Sequence, residues 1–226
     1  MPFFYFDSTF LLLIPALLLA FWAQFKVMST FKKYKEIRSA SGITGAVAAK
    51  KILEYNGIYD VKVESTPGEL SDHYDPRIKK VRLSQANYEG SSLAALAVAA
   101  HEVGHAIQHN IGYAPLALRH SILPVTRIAS WAAFPLFLIG FFLQTPLLIN
   151  LGIIFFAAVV FFHLVTLPVE FNASHRAIAQ LEQHGMLVTE EINGAKKVLN
   201  AAALTYVAAA TMALLQLIRL ILISRD

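Results

Sequence analysis

Four apolar runs govern what this chain of 226 residues can become. Residues 3–23, 122–143, 146–165 and 201–223 each approach or exceed the ~20 apolar residues that a helix needs to cross the hydrocarbon of a bilayer. Asp7, Ser8, Thr9 and Pro15 interrupt the first run. Arg127 is the one charge in the second, and the third holds none beyond a proton that His163 could take. Arg219 sits near the end of the fourth, where its head can snorkel to the lipid headgroups. Composition agrees: 56% of residues are hydrophobic and 15% charged, against ~25% charged in an ordinary soluble domain. A disordered tail, a collagen-like fibre and a fully solvated enzyme are excluded. So are disulfide scaffolds, cysteine nucleophiles, thiolate zinc sites and iron–sulfur clusters, because the chain has no cysteine.

The order of runs and charges sets an expected organisation. Residues 3–23 have no positive stretch before them and no small-residue cleavage site after them, so they read as an anchor rather than a removed signal. Lys26, Lys32, Lys33, Lys35 and Arg38 follow at once. Basic residues at one end of a span favour the cytoplasmic face. The expected division is an anchor at 1–23, a cytoplasmic part at 24–120, a transmembrane hairpin at 121–166, a second cytoplasmic segment at 167–200 and a last span at 201–226, with both termini outside. The expected location is a bacterial-type plasma membrane, with the polar segments and the active site on the cytoplasmic side. The net charge of +4 is spread along the chain and follows this membrane rule, so no nucleic-acid partner is expected. The sequence sets no oligomeric state.

Between the runs, local patterns predict a small α+β part. Residues 42–56 have helical spacing of Ile43, Val47, Ile52 and Leu53, with Thr44 or Ser41 as cap and Asn56-Gly57 as stop. Val61-Lys62-Val63-Glu64 alternates like a half-buried strand. Residues 70–74 and 78–83 flank Asp75-Pro76-Arg77 and predict a hairpin. A helix over 93–109 begins with eight small or aliphatic residues and should be buried nearly all round.

That helix contains His101-Glu102-Val103-Gly104-His105. Residues four apart share a helix face, so both imidazoles can reach one ion. Glu102 beside them is placed to deprotonate an attacking water rather than to ligate. Gly104 costs the helix ~1 kcal/mol relative to Ala, and its missing side chain lets another element pack close. Two His and a Glu in an otherwise apolar helix would be costly to bury without partners. A catalytic zinc takes three protein ligands and keeps one position open. His109 lies about two turns from His101 and is a poor third. Pro168 can open a helix after the third run, which would put Glu170 in its first turn. The tight connection Gln144-Thr145-Pro146 returns the chain near where it left, so topology brings Glu170 towards His101 and His105. The plain alternative is a carboxylate stabilised at a helix N-terminus.

Five stretches carry a resemblance: Leu70-Ser-Asp-His-Tyr-Asp-Pro-Arg77, Val81-Arg-Leu-Ser84, the helix with His-Glu-Val-Gly-His, Pro168-Val-Glu-Phe-Asn-Ala-Ser174 with Arg176-Ala177, and Val198-Leu-Asn-Ala-Ala-Ala-Leu-Thr-Tyr-Val207. Together they resemble the YugP-like family of membrane zinc metallopeptidases, over most of the chain. The resemblance implies a mainly α membrane protein with about four transmembrane helices and a small zincin-like cytoplasmic part. It implies one zinc in a gluzincin-type site, with Glu170 as third ligand beside His101 and His105. More distantly the chain resembles the HtpX and CAAX-prenyl membrane proteases. Those carry Asp four residues after the ligand Glu, where this chain has Ser174. Asn172, Ser174 or Asp72 would then have to orient a ligand histidine.

The expected activity is hydrolysis of peptide bonds, with Glu102 passing a proton from water to the leaving amine. His73, His175 and Arg176 are candidate donors to the oxyanion. Of these, His73 and Arg176 are taken as catalytic candidates. A hairpin strand at 70–74 or 78–83 could bind an extended substrate by strand addition. At ~1.5 Å per helical residue the zinc should lie roughly 5–20 Å above the hydrocarbon, which suits unfolded or membrane-proximal protein segments. The rival class is a non-catalytic membrane adaptor or chaperone stabilised by zinc, against which Glu102 argues, since a purely structural pair of histidines needs no adjacent base.

Overall fold

The structure, a computed structural model, describes residues 8–225. Residues 3–7 of the first apolar run lie outside them. A 3-10 turn at Ser8–Leu13 leads into α1 (Ile14–Lys35), followed by α2 (Gly45–Tyr55), β1 (Lys62–Thr66), β2 (His73–Asp75) and β3 (Lys80–Ser84). Then come α3 (Gln85–Glu89), α4 (Leu93–Asn110), α5 (Ala114–Phe142), α6 (Pro146–Gln183) and α7 (Thr189–Ile223). The segments Thr9–Lys35, Ala114–Phe142, Pro146–Gln183 and Thr189–Ile223 are long and apolar enough to cross a membrane. The protein is therefore a mainly α membrane protein with a small mixed sheet, as its apolar runs require.

Two compact units divide the chain. One takes the described residues up to Gln24, Leu118–Leu167 and the chain from Thr205 onward. The other takes Phe25–Ala117 and Pro168–Leu204.

In the first unit α5 and α6 form the expected hairpin. Gln144 turns the chain at φ +49. The helices approach closely where side chains vanish: a Cβ on Gly140 would meet the Ile149 nitrogen at 2.6 Å, and one on Gly152 the Phe137 nitrogen at 2.7 Å. Small residues allow this approach in lipid, where burial between helices gains little. Large apolar side chains face outward instead, Trp131 and Phe142 among them.

The second unit has an apolar core built from α2, the sheet, α4 and the polar-side parts of α6 and α7. Thr44 caps α2 by accepting from the Val47 N–H, and Gly57 at φ +67 follows its end. Ile52 and Leu53 are buried while Lys50 and Lys51 stay exposed, as the spacing predicts; Val47, expected on the same face, is exposed, and Ala48 and Ala49 are buried instead. The sheet order is β1-β3-β2. β2 pairs antiparallel with β3, which is the predicted hairpin shortened to His73–Asp75 on its first side. β1 pairs with β3 in parallel, Val63 opposite Val81. No local pattern foretold this pairing, because it joins segments separated by β2 and its turns. Ser92 caps α4 through the Ala95 N–H, and most of α4 is buried.

One expectation fails. Pro168 does not open a helix: it lies inside α6, which continues to Gln183. Glu170 is therefore far from any helix N-terminus, and the reading of it as a terminal carboxylate falls. Pro168 removes one backbone donor. The residues after it nevertheless keep the helix, because Val169, Ala173, Ala177 and Leu181, four apart, form a fully buried stripe. Such tertiary packing outweighs the local break.

Candidate metal centre

Two helices build the site. α4 presents His101 and His105 on one face, with ring centroids 4.8 Å apart and nearly perpendicular. α6 presents Glu170, which is buried. His101 Nε2 lies 3.3 Å and His105 Nε2 3.5 Å from the same oxygen, Glu170 Oε2. All three donor atoms fall within 4.8 Å of one another.

Gly104 explains how α6 comes so close. A Cβ there would stand 2.6 Å from the Ala173 carbonyl oxygen. Any larger residue would push the two backbones apart and carry Glu170 away from the imidazoles. Thus Gly104 serves the approach that the motif anticipates, and the element packed against it is α6.

The remaining ring nitrogens are also engaged. Ser174 Oγ lies 3.1 Å from His101 Nδ1. Gln108, fully buried, holds His105: its Oε1 is 3.0 Å from His105 Nδ1. The Gln108 amide nitrogen donates to the Val169 carbonyl at 2.8 Å and to Asn172 Oδ1 at 3.0 Å. Both are acceptors, so the amide orientation follows from its partners. Its oxygen then accepts from a protonated Nδ1, which leaves Nε2 as the nitrogen that faces Glu170.

The electrostatics suit a cation. Burial works against a charge on His105, but hydrogen bonding and charge at Glu170, with Glu102 adding its field, outweigh it and hold the pKa above the ordinary histidine value. A negative field that retains a proton also attracts a metal ion. Two imidazole nitrogens and one carboxylate oxygen, converging and backed by hydrogen-bond partners, could hold a metal ion and are of the donor types that a catalytic zinc takes. The residues present fit the ion. Glu102 is buried next to His101, and its charge acts on His105.

The other candidates fall in different places. His109 stands apart from the three donors: its Nδ1 shares a 2.8 Å hydrogen bond with the Tyr74 hydroxyl. Burial, with the charges of Asp60 and Asp75, pushes that hydroxyl up to about 12, so it keeps its proton. Asp72 takes a structural role, accepting from the Ser84 N–H at 2.8 Å and from Asn87 Nδ2 at 3.0 Å. Of the three proposed orienting residues, Ser174 contacts a ligand and Asn172 acts through Gln108. Gln108 itself escaped the sequence reading. Its signal was present, an amide three residues after His105 in a helix otherwise apolar. Arg176 Nε donates to Asn172 Oδ1 at 2.8 Å, which ties it to the same network. His73 sits on the edge strand β2, its Nδ1 2.7 Å from the Ser71 carbonyl oxygen, and His175 is exposed.

Comparison with known proteins points the same way. Residues 9–225 match a family model described as "Putative neutral zinc metallopeptidase". Over 212 residues the chain is 55% identical to "Putative membrane protease YugP" of Bacillus subtilis (strain 168), covering 94% of each chain. No solved structure matches.

Proposed function

The chain belongs to this neutral zinc metallopeptidase family, and from that premise we propose that it is a zinc-dependent endopeptidase of the membrane. The observation that carries the proposal is the convergence of His101, His105 and Glu170 with Glu102 one residue from the first ligand. The three ligands would hold zinc in a gluzincin-type site. When bound, zinc supplies a Lewis acid that polarises the scissile carbonyl and acidifies water.

The chain's own groups do the rest. Glu102 accepts the proton of the attacking water and returns it to the leaving amine. Ser174 and Gln108 hold the two imidazoles, so the ligand lone pairs need no reorganisation. Arg176 and His73 each have one nitrogen engaged and others left to donate to the oxyanion. β2 pairs on one side with β3, which leaves its other edge for an extended substrate by strand addition.

Two features support the choice of substrate and side. Glu170 belongs to the same helix as an apolar run of spanning length, which favours membrane-proximal or unfolded polypeptide segments over folded domains. Lys26, Lys32, Lys33, Lys35 and Arg38 favour a cytoplasmic active site.

Glu102→Gln in the full chain tests the proposal. Zinc content by elemental analysis should be retained while cleavage of an unfolded polypeptide is lost. Cleavage at the wild-type rate would overturn it. The side is tested separately with Tyr59→Cys, an exposed position in a chain without cysteine. In intact cells it should resist an impermeant thiol reagent, and rapid labelling would reverse the orientation.

A further inference from the structure

A cleft of about 470 Å³ opens between α1 and α7 in the second unit. Lys26 and Lys33 on α1 and Lys197 on α7 line it, with Thr30, Tyr34 and Asn200 between them. No carboxylate lines the cleft. Among the described residues none of the three ammonium groups forms an ion pair, whereas Lys35, Lys79 and Lys80 each have a carboxylate partner. Among the described residues the hydroxyls of Thr30 and Tyr34 and the amide of Asn200 have no hydrogen-bond partner either. Thr30 and Tyr34 are nonetheless nearly buried. Lys33 Nζ rests 5.7 Å from the centroid of the Tyr34 ring.

Helical spacing makes this a designed face rather than a scatter of charge. Lys26, Thr30 and Lys33 recur at i, i+4 and i+7 on α1. Lys197, Asn200 and Leu204 recur at i, i+3 and i+7 on α7. Each set lies on one side of its helix. The two lysines of α1 stand about 10 Å apart along the axis, which gives the cleft length. Ala201 and Leu204 close its apolar end.

Three uncommitted cations and three uncommitted donors, with no competing acid, select an anion carrying several acceptor oxygens. Phosphate is the common biological group of that kind. The surroundings choose its source. On α1, Phe21, Trp22, Phe25 and Met28 are exposed just before and within the cleft's own stretch. Exposed aromatic and apolar residues next to lysines mark the headgroup level of a bilayer, and basic pockets between spanning helices hold lipid headgroups there. We infer that the α1–α7 cleft binds the phosphodiester headgroup of an anionic phospholipid, with Lys26, Lys33 and Lys197 as its charge partners. The inference does not rest on the peptidase reading, since none of these residues belongs to the metal centre.

Native mass spectrometry of the full chain in uncharged detergent tests it, with phosphatidylglycerol, phosphatidylcholine and inorganic phosphate as probes. The wild type should prefer phosphatidylglycerol to phosphatidylcholine. Each lysine near an anionic surface is worth about fivefold. K33Q/K197Q should therefore weaken phosphatidylglycerol binding roughly thirtyfold, while K50Q/K51Q, which removes the same charge from α2, should leave it unchanged. Both cleft lysines are exposed, and the single variants, about fivefold each, decide the matter should the double variant not fold. Equal affinity for the two lipids, or an equal loss in K50Q/K51Q, would overturn the site. Inorganic phosphate binding as tightly as phosphatidylglycerol would overturn its assignment to lipid.

Discussion

α4 and the α5–α6 hairpin are both built mainly from apolar residues, small and aliphatic in α4 and with many aromatics in the hairpin, yet they turn them in opposite directions. α4 hides Ala94, Leu96, Ala97, Ala99 and Val103 completely. The hairpin leaves Trp131 81% and Phe142 77% exposed. The difference is one of solvent. Around α4, apolar area removed from water contributes ~25 cal/mol per Å². In lipid that term is absent between helices, so packing relies on close backbone approach. Glycine provides the approach in both places, at Gly104 and at Gly140. Only at Gly104 do polar groups flank the contact, and there the approach brings Glu170 beside His101 and His105, three residues that could hold a metal ion. Close approach is thus a shared device, and the side chains placed around it determine what it does.

The largest expected effect separates chemistry from construction. Glu102→Gln should lower turnover by about 10²–10⁴-fold, the usual range for a lost general base, with melting temperature and zinc content unchanged. Loss of zinc together with activity would instead make Glu102 part of the ligand frame.

Next in size is Gln108→Leu. It keeps a similar volume but frees His105 Nδ1 and removes the bonds to Val169 and Asn172. Removing such a supporting partner typically costs 10–100-fold in metal affinity. Competition with a chelator should show that loss, and unchanged affinity would reduce Gln108 to a packing residue.

The two glycines can then be compared directly. Gly104→Ala and Gly140→Ala each force a Cβ to within 2.6 Å of a neighbouring backbone atom. Each should destabilise by about 1–3 kcal/mol, the range for overpacking. Thermal unfolding should report both, but zinc affinity should fall only for Gly104→Ala. An equal fall in the two variants would show that the metal centre depends on the hairpin as well.

The smallest effect concerns the start of α7. Glu191 accepts from the Val188 N–H at 3.1 Å and from the Ala40 N–H at 2.7 Å. The first bond is the reach-back of a capping box. Glu191→Ala should cost ~1 kcal/mol of stability and leave zinc affinity and turnover untouched, as measured by denaturant unfolding beside activity.

Helices, caps and one half of the site were legible because their causes are local. Thr44, one of the two caps that the sequence offers for α2, announces a helix start through its own hydroxyl. His101 and His105 declare a shared face by spacing alone. Glu170 needed topology as well, because 64 residues of chain separate it from the nearest helical ligand by number. Pro168 misled for the opposite reason: its local preference is real, and the buried stripe from Val169 to Leu181 overrides it. Gln108 went unread because an amide in a buried helix has many possible partners, and sequence does not rank them.

What the sequence determined by itself is therefore the environment and the candidate donors: apolar runs that demand a bilayer, and a histidine pair four residues apart on one helix face with a carboxylate beside it. Tertiary structure decided how they meet. The parallel pairing of β1 with β3, the continuity of α6 through Pro168, and the bond from Gln108 to His105 all depend on contacts between distant segments. A local pattern reports the energy of a residue with its neighbours in the chain. It is silent about a bond whose strength exists only once another helix has removed the water.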